Sequence, residues 1–191
     1  MATVKPDPLN PRRAYGGLPA SAVELSGAPP QPWINKQDGV AAGRVEWKTV
    51  KSAILNNERS VGVYTPPGYN ADGQPYGLLV MFDGAAYTLS IPGPVIFDNL
   101  LAKKLLPPLV AVVVGNPTAI SRNVELPCNA AFAEFLVKEL LPWVRQNYHV
   151  TSDPKQTTVG GFSFGGLAAS FAAFRHPEVF GNVISQSGAY W

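Results

Sequence analysis

Thr157-Thr158-Val159-Gly160-Gly161-Phe162-Ser163-Phe164-Gly165-Gly166-Leu167-Ala168-Ala169-Ser170 decides the reading of this 191-residue chain. A short β-prone run feeds a G-x-S-x-G pattern, and a run of small helix formers leaves it. In that context the pattern marks a nucleophile elbow, a strand-to-helix turn that presents a serine on a strained backbone. Residues beside such a serine must be tiny, because the backbones approach too closely for Cβ atoms. Gly160, Gly161, Gly165 and Gly166 supply that space on both sides. A helix opening at Phe164 aims its free N–H groups and the positive end of its dipole at Ser163, where an alkoxide or tetrahedral oxyanion would be stabilised. The competing readings are a glycine-rich turn with an idle serine and a phosphate loop. The second lacks the Lys-Ser/Thr that should follow its glycines, since Leu167-Ala168 stands there instead.

Working outward, the chain alternates strand and helix patterns. Val45–Val50 alternates apolar and polar residues and predicts a half-buried strand, with Ser60–Thr65 as its partner across Asn56-Asn57. Leu78–Phe82 and Leu109–Val114 are continuous apolar runs, as expected of strands covered on both faces of a parallel sheet. Between them Val95–Leu106 has helical spacing. Asn129–Gln146 predicts a second helix, with a kink or early end at Pro142. The strand Thr157–Gly160, the helix Phe164–Arg175 and a strand at Val183–Ser185 complete an α/β layer fold with a mostly parallel central sheet. Residues 1–44, rich in Pro, Gly and Ala, read as an extended arm or linker, which Trp33 and Ile34 pin to the domain surface. Residues 45–191 read as the domain itself.

In a parallel sheet, ligands bind at the C-terminal strand ends. Asp83-Gly84-Ala85 follows the Leu78–Phe82 strand there, on the same edge as the elbow. The N–H of Ala85 and the N–H of Phe164 would form a two-donor oxyanion hole. Asp83 is a candidate to face substrate or to act as catalytic acid; its place ahead of the serine favours a role in fixing the loop. Asn116–Cys128 should reach the same edge, with Arg122 and Glu125 either facing substrate as a pair or ordering the loop as an ion pair. The lone cysteine, Cys128, reads as a buried packing residue.

A serine needs a base to attack an ester. Neither histidine suits. His176 lies a helix length from Ser163, about 20 Å at about 1.5 Å per residue. His149 precedes the strand that feeds the elbow and belongs at the opposite edge, with Asp153. In elbows of this kind the acid and then the histidine follow the serine in the chain, so both partners are expected beyond Trp191.

Composition excludes several other classes. The formal charge is +2, and Arg12-Arg13 and Lys103-Lys104 are the only basic doublets, which leaves no footprint for nucleic acid or an anionic membrane. No apolar run approaches the length of a membrane span, and the N-terminus lacks the apolar stretch of a signal peptide. The expected location is cytoplasmic. No His/Cys spacing suggests a metal, and no cofactor is expected.

Gly160–Trp191, with Gly-Gly-Phe-Ser-Phe-Gly-Gly-Leu and the ending Ser-Gln-Ser-Gly-Ala-Tyr-Trp, resembles the enterochelin (enterobactin) esterases, in the esterase D and antigen 85-like branch of the α/β-hydrolases. Met81-Phe82-Asp83-Gly84, Arg122 through Glu125-Leu126-Pro127-Cys128-Asn129, and Asp7-Pro8-Leu9-Asn10-Pro11 agree with it. The resemblance implies an α/β-hydrolase three-layer fold without its C-terminal part. It implies Ser163 as nucleophile and hydrolysis of the ester bonds of a ferric catecholate siderophore in the cytoplasm. An antigen 85-like acyltransferase, another carboxylesterase, or a non-catalytic protein on the same scaffold are the alternatives.

Overall fold

The computed structural model describes residues 5–10 and 21–191. Pro11 and the Arg12-Arg13 doublet lie outside the described residues.

β1 (Arg44–Ser52) and β2 (Asn57–Thr65) form the antiparallel hairpin that the alternation predicts. Asn56 closes the turn in the left-handed region at φ 48°, a conformation asparagine tolerates better than most residues. β3 (Gly77–Phe82), β4 (Leu109–Val114), β5 (Thr157–Phe162) and β6 (Asn182–Gln186) follow. The sheet order is β1-β2-β4-β3-β5-β6, with β4, β3, β5 and β6 mutually parallel and β2 antiparallel to β4.

The continuous apolar runs work as expected. Leu78, Val80, Phe82, Val110, Val112 and Val114 point to one face of the sheet; Leu79, Met81, Leu109, Ala111 and Val113 point to the other. The first face packs on α3 (Ala130–Phe135), α4 (Leu141–Asn147) and α5 (Phe164–Arg175) through Phe132, Phe135, Leu136, Leu140, Val144 and Ala169. The second packs on α1 (Gly93–Ala102) through Phe97 and Leu101. Three layers result, with the sheet in the middle.

Two helices differ from expectation. α1 ends at Ala102 because Lys104 turns into the left-handed region at φ 56°, two residues before the apolar spacing runs out at Leu106. The helix across Pro142 neither stops nor restarts. A wide turn, Leu136–Leu140, joins α3 to α4, with Leu141 N–H bonded to Leu136 O. The extra residue in that turn absorbs the missing N–H of Pro142 just after it.

The arm ahead of β1 is fastened by its backbone. Asn99, buried on α1, donates from Nδ2 to Trp33 O and Asn35 O, both at 2.8 Å. Trp33 does mark the pinned segment, but through its carbonyl. Among the described residues no helix is long and apolar enough to cross a membrane.

Candidate active site

Ser163 occupies φ 55°, ψ −123°, directly between the end of β5 and the first residue of α5. This region is hostile to any side chain and is found where surrounding bonds enforce it. Here they do. Ser163 N–H donates to Gln186 O at 3.0 Å, while Ser163 O accepts from Leu167 N–H and Ala189 N–H, each at 3.1 Å. The flanking glycines are required by contact: a Cβ on Gly161 would sit 2.7 Å from the Gly165 carbonyl carbon, and one on Gly166 would sit 2.8 Å from Ser185 Oγ.

The loop after β3 lies against this turn. Asp83 is also left-handed, at φ 58°. Gly84 N–H donates to Val114 O at 2.9 Å and Ala86 N–H to Asp83 O at 2.8 Å, whereas Ala85 N–H has no partner among the described residues. Phe164 N–H, first in α5, has no carbonyl within its helix to bond. A cavity of about 200 Å³ is lined by Asp83, Gly84, Ala85, Ala86, Asn116 and Phe162, the residue before the serine. Ala85 thus lines the cavity with its N–H unpaired among the described residues, and Phe164 opens α5 two residues after Phe162, which lines the same cavity.

Asp83 lines this cavity with its carboxylate engaged by the protein itself. Its buried oxygens accept Arg122 Nε at 2.7 Å, Arg122 Nη2 at 2.8 Å and Asn116 Nδ2 at 2.5 Å. The bond to Asp83 raises the Arg122 pKa, against the effect of burial. The guanidinium lies 5.8 Å from the Phe162 ring centre and 5.7 Å from that of Phe164, the two aromatics that flank Ser163. Arg122 is thus held between Asp83 and the two rings that flank Ser163.

Glu125 is a correction. It does not pair with Arg122 or face a ligand. The segment predicted as a loop forms a helix, α2 (Ala119–Glu125), capped by a reciprocal Thr118–Ser121 box. The turn of that helix sends Arg122 to the strand ends and Glu125 into the core, where it meets buried Arg59 at 3.0 Å and accepts Asn57 Nδ2 at 2.8 Å. The Arg59 guanidinium also packs on the rings of Phe132 and Phe135. Cys128 is likewise not buried: it is exposed, in a left-handed turn at φ 48° between α2 and α3.

Several site residues escaped the sequence reading. Tyr87, on a turn at Ala86–Ser90, hydrogen-bonds the Gln186 side chain and packs edge-on to Phe162 at 5.8 Å. It ties the loop after β3 to the end of β6. Burial and then the nearby Asp83 charge push its pKa up to about 12. Nothing in the local sequence marks it. Asn116 was legible in principle, as a polar residue at the end of β4 beside the end of β3.

Neither histidine joins the serine. His176 ends α5, the helix that Ser163 begins, with Nδ1 3.2 Å from Glu178 and Nε2 3.4 Å from Glu134. His149 sits beside the isolated bridge Tyr76–Val150, before β3 begins, and its Nε2 meets Gly73 O at 2.9 Å. Asp153 caps a short turn that leads into β5, at that same edge.

Comparison with known proteins gives the family and agrees with the fold. The family model Esterase, described as "Putative esterase", matches residues 52–191. The iron(III) enterobactin esterase of Escherichia coli O6:H1 (strain CFT073) is 38% identical over 189 residues, covering 97% of this chain and 46% of its own length. That of Dickeya dadantii is 34% identical, covering 97% and 43%. The crystal structure of the Shigella flexneri enterobactin esterase in the presence of enterobactin superposes with a TM-score of 0.85 at 37% identity, over 97% of this chain and 48% of that one. The Salmonella typhimurium ferric enterobactin esterase gives 0.85 at 33% identity, over 98% and 47%. The chain spans about half the length of the relatives it matches. With its elbow, its parallel sheet and these likenesses, it belongs to the esterase family and is similar over nearly its whole length to the enterobactin esterases.

Proposed function

We propose that residues 45–191 carry the nucleophile half of a serine esterase, with residues 1–44 as an arm, and that its substrate is the ester of a catecholate siderophore in its ferric form. Ser163 Oγ attacks the ester carbonyl as a base takes its proton, and the N–H groups of Ala85 and Phe164 receive the oxyanion; the C–O bond then breaks, the alcohol leaves with that proton, and water cleaves the acyl-enzyme to the free acid and Ser163. The observation that carries this reading is the backbone of Ser163, held at φ 55°, ψ −123° at the mouth of α5. The substrate class follows the enterobactin esterases that the chain resembles. Arg122, its charge secured by Asp83 and set beside two aromatic rings, suits a phenolate-bearing substrate. The iron is cargo of the substrate. A cytoplasmic location fits a chain with one cysteine and no disulfide.

The reading needs a histidine base that neither His149 nor His176 supplies from its position. That observation favours a second reading, in which this scaffold keeps Ser163 but performs no chemistry. Incubation of ferric enterobactin with a form extended by the downstream codons separates the two. The first reading expects linear ester-cleavage products, lost on Ser163→Ala. Intact substrate in both arms supports the second.

A further inference from the structure

On the edge of the sheet opposite Ser163, a groove of about 690 Å³ runs beneath α1. Its place is set by the residues that line it: Tyr76 just before β3, Pro107-Pro108 just before β4, and Pro66-Pro67 just after the antiparallel β2. The walls are otherwise aliphatic, chiefly Leu101 and Leu106, and the volume falls within the range of small-molecule sites.

One group in this apolar setting is out of keeping. Asp98, on α1, is only 8% exposed, yet it lines the groove. Both donors that reach it go to the same oxygen. Gly43 N–H and the Tyr64 hydroxyl meet Oδ1 at 2.8 and 2.7 Å. Oδ2 takes no hydrogen bond among the described residues, and it is not among the sealed, partnerless polar atoms of the interior. It therefore opens to the groove. Burial and this same bond raise the Tyr64 pKa, so the tyrosine stays a donor and the carboxylate keeps its acceptor role. No lysine or arginine lies within 4.0 Å of Asp98 among the described residues. Lys104, exposed at the rim, does not pair with it, and the Tyr76 hydroxyl is engaged by Asn70 N–H at 3.0 Å. A nine-tenths buried carboxylate with one oxygen free in an apolar groove is complementary to a compact cation that carries N–H donors on an apolar body.

We propose that this groove is a binding site for a small organic ammonium, its N–H groups on Asp98 Oδ2 and its hydrocarbon body against Leu101, Leu106 and the proline pairs. The inference does not rest on the esterase reading, because the groove and Ser163 lie at opposite strand ends.

The test is an NMR titration of the chain with benzylammonium, with benzyl alcohol as the neutral match. Saturable shifts are expected at Gly43, Leu101 and Leu106 amides with the ammonium, and binding about tenfold weaker or worse with the alcohol. Asp98→Asn retains an oxygen for Gly43 and Tyr64 and should weaken the ammonium to the level of the alcohol; Lys104→Met should tighten it by removing a like charge. Should Asp98→Asn fail to fold, the comparison of the two probes on the unaltered chain decides alone. Equal binding of ammonium and alcohol, unchanged binding by a folded Asp98→Asn, or shifts confined to exposed carboxylates elsewhere would overturn the proposal.

Discussion

Asp83 and Arg122 are joined at two points, Nε to Oδ1 at 2.7 Å and Nη2 to Oδ2 at 2.8 Å, and this fork couples the loop after β3 to the turn that carries Ser163. Asp83 begins the loop that presents Ala85, and a Cβ on Gly165 would lie 3.3 Å from its Oδ2. Arg122 rests on the rings of Phe162 and Phe164. The aspartate serves the site by geometry, which is why it can precede the serine in the chain.

Asp83→Ala strands a partly buried guanidinium and frees the loop. The chain should lose about 1–3 kcal/mol, less than for a fully buried pair because Arg122 keeps some water. Urea denaturation measures this. An unchanged midpoint would mean that the fork does not hold the loop.

Glu125→Ala should cost more, about 3–5 kcal/mol, because it leaves Arg59 charged and unpaired in the core. The double replacement Arg59→Met with Glu125→Leu should recover most of the loss. Neither change should alter the reactivity of Ser163 in protein that remains folded, since the pair packs on Phe132 and Phe135 and touches neither Asp83, Arg122 nor the elbow. A reactivity change in the folded double variant would restore Glu125 to the site.

Gly166→Ala brings a Cβ to 2.8 Å from Ser185 Oγ and 3.1 Å from Gly188 Cα, so the turn at 187–190 must shift from the elbow. Gly161→Ala is worse, because backbone atoms of Gly165 oppose it at 2.7 to 2.9 Å. Thermal melting should rank the two in that order.

The fold should lose stability in alkali. The Tyr87 pKa is about 12 in the folded chain against 10.0 ordinarily, and that of Tyr64 is raised as well. Above pH 10 the unfolded chain releases these protons while the folded chain keeps them, so stability falls as pH rises from about 10 towards 12. Tyr87→Phe removes one contribution and should flatten the decline, read from urea midpoints between pH 9 and 11. An identical slope would contradict burial of the hydroxyl.

What was legible in the sequence divides along physical lines. Periodicity exposed the first four strands, because a sheet covered on two faces needs unbroken apolar runs and a half-covered hairpin needs alternation, whereas β5 was read from the elbow it feeds. The elbow was legible because steric demand writes glycines at fixed positions. The fates of Arg122 and Glu125 were not. They hinge on whether 119–125 is helical, which a one-turn Thr118–Ser121 cap decides rather than hydrophobic spacing. Tyr87 was silent because its partner, Gln186, lies 99 residues further along the chain.

The central claim, that Ser163 is a presented nucleophile without a base within reach, is tested by mass-spectrometric mapping of fluorophosphonate adducts on the 191-residue chain, with and without added imidazole. The account predicts slow labelling, confined to Ser163, that rises with imidazole concentration as the free base takes the serine proton. Labelling that is rapid without imidazole, or that falls on another residue, would contradict it.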